Sequence, residues 1–275
     1  METILIPTDL SEVSKNAAEY GIQLAKEKNA KVIMLHVIEI AAMAGDDPLF
    51  MPPFDILEKT KISLMKEFEN KLREKYSFTN PIESITKTSY LMQEIKQIIS
   101  EKNIDIIVMG IADVGKLSEF LLGSNSVEVA RKTNSPTLIV PKGAMYKPIN
   151  NIVLACNDLE EMKDTSIGKQ ISKFVKLFDS KLTVLNVVES FEDPEFEKIL
   201  FDAKNKTIFE NINYSVNFIA GTNLVFTIND FIDKNNVDLL IMIPKRHEFF
   251  SQLFHISSTK QMAFHTHIPL LAIHE

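Results

Sequence analysis

Cysteine occurs once in the 275 residues, at Cys156. A single thiol cannot close an intrachain disulfide, and such sparing use fits a reducing compartment. Cys156 itself reads as a small buried core residue. Positive charge is also short: 30 Lys and Arg stand against 37 Asp and Glu, a net charge of -7. That balance argues against a general nucleic-acid binder, which needs a basic face to neutralise phosphates. A small anionic ligand held by one local loop stays compatible with it. No apolar run approaches the roughly 20 residues of a membrane span. Met1-Glu2-Thr3 opens directly into a strand, without a basic region or an apolar signal core. The expectation is a cytoplasmic protein with no membrane and no nucleic-acid partner. Two catalytic signatures are missing: the G-x-x-x-x-G-K-[ST] phosphate loop and the G-x-S-x-G elbow of acyl transfer. His247, His255, His265, His267 and His274 have no carboxylate or cysteine at matching ligand spacing, so no metal site is expected.

What is present is organised around residues 104 to 140. Ile104 to Met109 is an apolar run broken only by Asp105, the pattern of a strand buried on both faces. Gly110 closes it. A loop leads to Gly123-Ser124-Asn125-Ser126, then to an amphipathic helix pattern, and Thr137 to Val140 is a last short strand. A helix N-terminus offers unpaired N–H groups and the positive end of a dipole, and glycine lets an anion approach closely. The segment reads either as a phosphate-binding loop or as a plain helix N-cap after a loop.

Upstream, Thr3 to Pro7 and Lys31 to Ile38 read as buried strands, and Pro81 to Thr86 as a weaker one. Glu12 to Asn29, Asp55 to Tyr76 and Tyr90 to Lys102 read as helices. Strict alternation predicts an α/β fold with a parallel sheet and helices on both faces. The second half repeats the first: Asn151 to Ala155 matches the first strand, and Lys181 to Glu189 (KLTVLNVVE) matches Lys31 to Glu39 (KVIMLHVIE). Val237 to Ile243 matches Ile104 to Gly110, and Ile268 to His274 matches Ser135 to Pro141. A repeat this long predicts two like domains, at 1–144 and 149–275, joined by a short segment that sets them side by side. Each is expected to be a doubly wound five-stranded parallel sheet of strand order 3-2-1-4-5.

Ligands of such sheets bind outside the carboxyl ends of the strands, where the strand order reverses. Pro7-Thr8-Asp9, Val37, Met109 and Gly110 fall there. Asp9 suits a ribose or an adenine amino group, and equally an N-cap for the next helix. Main chain at Val37 could meet a base edge, and Met109 could pack on a base face.

These residues carry a resemblance to the universal stress protein family, in its tandem two-domain form, over nearly the whole chain. The matching segments are ILIPTD (Ile4 to Asp9), VIMLHVIE (Val32 to Glu39), IVMG (Ile107 to Gly110), LLGSNS (Leu121 to Ser126) and SPTLIVP (Ser135 to Pro141). The resemblance implies adenine-nucleotide binding, ATP or AMP with or without magnesium. The implied contacts are Pro7, Thr8, Asp9, Val37, Met109, Gly110, Gly123, Ser124, Asn125 and Ser126. The nucleotide-binding subclass has the loop G-x-x-G-x9-G-[ST]. Here Gly110, Gly123 and Ser124 fit it, whereas Asp113 stands at the second glycine. A carboxylate there either opposes phosphate, unless Lys116 or a metal offsets it, or points to solvent without effect.

The second half departs further. Ile243 replaces Gly110, Pro244 to Glu248 replaces the loop, and Ile256-Ser257-Ser258-Thr259 stands for Gly123 to Ser126. Cys156 and Asn157 are taken to stand for Pro7 and Thr8. This half is expected to keep the fold without the nucleotide and to serve as a partner surface. Lys245, Arg246 and His247 read as a solvated loop or an anion site. Three functions compete: a nucleotide-binding stress protein with at most slow hydrolysis and no catalytic residue assigned; a nucleotide-free scaffold; and a nucleotidyl-transferring enzyme, for which PTDLS lacks the glycines. Pairing of edge strands Thr137 to Val140 and Pro269 to Ile273 is expected within one chain as a pseudo-dimer, and whole chains could pair further as a homodimer.

Overall fold

The computed structural model describes residues 1–39, 54–112, 124–156, 166–188, 208–209, 211–243 and 267–273. Main-chain packing groups residues 1–112 with 137–146 in one unit, and 113–136 with 147–275 in a second. The expected partition differs from this grouping chiefly in segment 113–136.

The first unit holds β1 (Thr3–Pro7), α1 (Glu12–Glu27), β2 (Lys31–Glu39), α2 (Phe54–Tyr76), β3 (Ile82–Ser89), α3 (Leu91–Glu101), β4 (Ile106–Ile111) and β5 (Thr137–Pro141). β1 pairs in parallel with β2 and β4, β2 with β3, and β4 with β5, which is the expected order 3-2-1-4-5. Every residue of β1 and β5 is buried, in keeping with continuous apolar runs in parallel strands covered on both faces. α1 starts where Ser11 takes the N-cap place and its hydroxyl accepts the Ser14 N–H at 3.3 Å. The α1 face of Ala17, Ala18, Tyr20, Gly21, Ile22, Leu24 and Ala25 is buried against the sheet.

Helix α2 is fixed to the edge strand by a buried carboxylate. Glu69 is 3% exposed and accepts from Arg73 Nε at 3.0 Å, Ser84 Oγ at 2.9 Å and Lys66 Nζ at 3.2 Å. Burial alone would raise its pKa; these donors outweigh it and hold the group ionised, below its ordinary value. Arg73 also donates to the carbonyls of Phe78 and Asn80, closing the turn from α2 into β3.

The second unit holds α4 (Ser124–Lys132), β6 (Asn151–Ala155), α5 (Ile167–Phe178), β7 (Lys181–Val188), β8 (Tyr214–Ala220), α6 (Leu224–Lys234), β9 (Leu239–Met242) and β10 (Leu270–Ala272). β6 pairs in parallel with β7 and β9, β7 with β8, and β9 with β10. The order of the first sheet is repeated strand for strand.

The register corrects one expected equivalence. Pro7 is partnered by Leu35 and Ala155 by Leu185, while Thr8 and Cys156 each donate their N–H to that same leucine carbonyl, at 2.8 and 3.0 Å. Ala155 therefore stands for Pro7 and Cys156 for Thr8, one residue from the expected alignment. The ladder fixes the equivalence through the paired strands, whereas the sequence alone offers no register between the two halves at this point. Cys156 is buried, as expected. Asn157, residues 244 to 248 and residues 256 to 259 lie outside the described residues.

Candidate nucleotide site

The carboxyl ends of β1, β2 and β4 bring most of the expected residues of the first unit together, and side-chain parity decides their facing. A Cβ on Gly21 of α1 would lie 2.7 Å from Ile6 Cδ1 and 3.5 Å from Val108 Cγ1, so Ile6 and Val108 face α1. Alternation then turns Pro7 and Met109 to the opposite face. Leu35 partners Pro7, so Val37 shares that face too. Pro7, Val37 and Met109 thus line one side of the sheet at the point where strand order reverses. Pro7 and Met109 are buried and Val37 is half-buried.

Gly110 lies inside β4 rather than after it, partnered by Val140. Its bare Cα is required by α1: a Cβ there would stand 2.5 Å from the Val13 carbonyl oxygen and 2.8 Å from Val13 Cγ1. The sequence assigned this glycine to a loop, and the structure gives it a packing role under the first turn of α1.

Thr8 and Asp9 form a tight turn above β1. The buried Thr8 hydroxyl accepts the Leu10 N–H at 3.1 Å and donates to Ser14 Oγ at 3.0 Å. Asp9 is not the N-cap of α1, the role weighed against ligand binding, because Ser11 fills it. Asp9 Oδ1 instead accepts the Ser11 N–H at 2.9 Å, and the residue is exposed beyond the strand end. Partial burial raises its pKa, but hydrogen bonds from Ser11 and Ser14 prevail and keep it below the ordinary 3.8. Leu10 between them has φ +66°, a left-handed conformation costly for a branched apolar residue.

Gly123, Asp113 and Lys116 lie outside the described residues. Ser124, Asn125 and Ser126 form the first turn of α4, with Asn125 exposed and Ser126 buried. A cavity of about 710 Å³ lies between α1 and α2, lined by Leu10, Lys15, Leu64, Phe68 and Leu72 among others, and it contains none of the expected site residues.

One residue the sequence reading passed over belongs here. His36, 4% exposed, places Nδ1 2.8 Å from the Thr8 carbonyl oxygen, and its buried Nε2 has no hydrogen-bond partner. A polar side chain inside an otherwise apolar strand was the available signal.

The model of the universal stress protein family matches residues 1–141. The chain belongs to that family. Universal stress protein MJ0577 of Methanocaldococcus jannaschii is 31% identical over 155 residues, covering 50% of this chain and 94% of that protein. Universal stress protein Slr1230 of Synechocystis is 22% identical over 293 residues, covering 98% and 99%. The fold agrees with the crystal structure of a universal stress protein from Archaeoglobus fulgidus, at TM-score 0.69 and 19% identity over 99% of this chain and 98% of that one. Full-length coverage of this kind fits a tandem universal stress protein.

Among the described residues of this universal stress protein, no three His, Cys, Asp or Glu side chains gather as a metal site would require. Of the five C-terminal histidines only His267 is described; it lies 3.7 Å from Asp233, and both are exposed. No described helix is long and apolar enough to cross a membrane.

Proposed function

We propose that the chain binds one adenine nucleotide, ATP or AMP, through its amino-terminal half and acts by binding rather than by catalysis. The observation that carries this reading is the shared facing of Pro7, Val37 and Met109 at the strand-order reversal, beside the exposed carboxylate of Asp9. An apolar patch with one directed acceptor suits a base and its ribose. Thr8 and Gly110 support that surface from within. Gly123, Ser124, Asn125 and Ser126 enter the proposal as the phosphate end through motif spacing alone, with magnesium as the natural offset to Asp113. The domain limits 1–144 and 149–275 are part of the same proposal.

The carboxyl-terminal half takes no nucleotide in this reading and serves a protein partner. Its loop sequence lacks the motif glycines, and Cys156 stands where Thr8 holds the first turn. A nucleotide-free interaction module is the second reading, favoured by Asp113 at a motif glycine.

Calorimetric titration of the purified chain with ATP and with AMP separates them. Saturation at one nucleotide per chain, weakened at least tenfold by Gly123→Val, supports nucleotide binding. No saturable binding of either supports the module, and two nucleotides per chain would overturn the asymmetry.

A further inference from the structure

We propose that His36 is a positioning residue for nucleotide binding, acting through the Thr8 carbonyl and never touching the ligand. The inference rests on the nucleotide reading above and adds a residue to it. A carbonyl oxygen can only accept, so the 2.8 Å contact between His36 Nδ1 and Thr8 O assigns the proton to Nδ1. Nε2 is then a bare lone pair, buried and unpartnered. The ring is a neutral imidazole in a fixed tautomer.

That bond completes the fixing of Thr8. Its N–H is given to Leu35 O at 2.8 Å, its carbonyl takes the His36 proton, and its hydroxyl serves Leu10 and Ser14. With these groups engaged, the peptide plane after Thr8 cannot swing. The next residues are forced through the left-handed Leu10 into the turn that sets Asp9 against the Ser11 N–H. A left-handed leucine persists only where its surroundings over-determine it, and the imidazole is one of those determinants.

Parity shows why His36 acts at one remove. Met34 partners Ile6, which faces α1, so His36, two residues on, lies on the α1 side of β2. Pro7, Val37 and Met109 lie on the other side. A nucleotide over that patch meets the turn that His36 supports, and never the ring. The second unit has Asn186 at the matching register position, five residues after Lys181 as His36 is after Lys31, and it too is buried. An asparagine side-chain nitrogen can occupy the place of Nδ1 and donate in the same direction, which suggests the conservative variant.

The test compares His36→Asn, which keeps a donor at the Nδ1 place, with His36→Leu, which keeps none. Nucleotide titration is read beside the amide resonances of Asp9, Leu10 and Ser11, with ring nitrogen shifts recorded on the unsubstituted chain. The expected result is affinity within about threefold for His36→Asn and at least tenfold weaker for His36→Leu, at unchanged stoichiometry. The three amides should move only in His36→Leu, and the ring should titrate as the Nδ1–H tautomer. Equal losses in the two variants, full affinity in His36→Leu, or an Nε2–H ring would overturn the assignment. Should His36→Leu fail to fold, His36→Gln, which moves the donor to the Nε2 place, takes its role with the same expected loss. An unsubstituted chain that binds neither ATP nor AMP overturns the nucleotide reading itself. The positioning role in binding falls with it, and the amide shifts then show separately whether the imidazole sets the turn.

Discussion

Asp105 and Asp238 do the same work in the two sheets. Asp105 Oδ2 accepts the N–H groups of Glu2 and Thr3 at 2.7 and 3.2 Å, where β1 begins. Asp238 Oδ2 accepts those of Asn150 and Asn151, both at 2.9 Å, where β6 begins. Each carboxylate sits just before the strand that pairs with the first strand of its sheet, and fixes the register of that pair. Asp238 has an added partner, Lys147 Nζ at 2.8 Å.

Removing either carboxylate leaves two main-chain donors without their acceptor. Asp105→Ala and Asp238→Ala should each lower stability by about 1–3 kcal/mol, since a charge-assisted acceptor is lost and its donors, the exposed Glu2 N–H apart, are part-buried. Asp238→Asn should recover part of the loss, because one amide oxygen can still accept. Chemical denaturation of the three variants checks this. A loss below about 0.5 kcal/mol for Asp105→Ala would show that solvent replaces the carboxylate, the outcome typical of exposed surface sites.

Both aspartates interrupt apolar runs in the sequence, and the Ile-Asp and Val-Asp matches helped to expose the repeat. Their role was hidden because Asp105 and Thr3 are brought together by the sheet and not by spacing. What the sequence carried well was the strands: apolar runs such as Val32 to Ile38, broken only by His36, belong in a buried sheet, and alternation with helices leaves few topologies. In the second half α5, α6 and β8 were not singled out, although Ile167, Ile171, Phe174, Val175 and Phe178 recur at helical spacing and are buried. Gly110 was misplaced because a glycine after an apolar run reads as a loop; only the nearness of Val13 shows its use. Pro7, Val37 and Met109 were legible as a group because β1, β2 and β4 were correctly placed as neighbours.

Gly110→Ala should be costly. The new methyl would meet main chain at 2.5 Å, and a backbone oxygen cannot rotate away as a side chain can. The first turn of α1 would have to shift, at about 1–3 kcal/mol. Because Ser11 and Ser14 belong to that turn, the Thr8–Asp9 loop should shift with it. Thermal melting would register the stability loss, and amide shifts of Asp9 and Ser11 would register the displacement. Unchanged amides in a destabilised variant would contradict the link between Val13 and the loop.

Asp179→Gly should stabilise the second unit. Asp179 ends α5 at φ 53°, ψ 45°, exposed, while its N–H reaches Lys176 O at 3.2 Å. The left-handed conformation disfavours any residue with a Cβ by roughly 1 kcal/mol, and glycine is the common choice at such helix ends. Among the described residues the side chain makes no hydrogen bond or ion pair that the substitution would remove, so a gain of up to about 0.5 kcal/mol should remain after the extra chain entropy of glycine in the unfolded state is allowed for. A rise in melting temperature is expected, and a fall would mean the carboxylate stabilises the cap in another way.

His36 should make folding sensitive to mild acid. Burial lowers its pKa below the ordinary 6.5; Lys61 pushes the same way, while the bond to Thr8 O and the charge of Asp9 oppose it. The folded state therefore binds its proton at lower pH than the unfolded chain does. Between the two pKa values the unfolded chain carries more protons, so stability rises with pH there. The contribution is complete above about 6.5, the unfolded value, and is lost as pH falls toward the depressed folded value. Asp9, also depressed, adds a similar loss only at pH below its ordinary 3.8. Denaturation midpoints measured from pH 7.5 to 5 should decline in the unsubstituted chain and decline less in His36→Asn, which has no proton to gain. Parallel declines in the two proteins would place the acid sensitivity elsewhere in the chain.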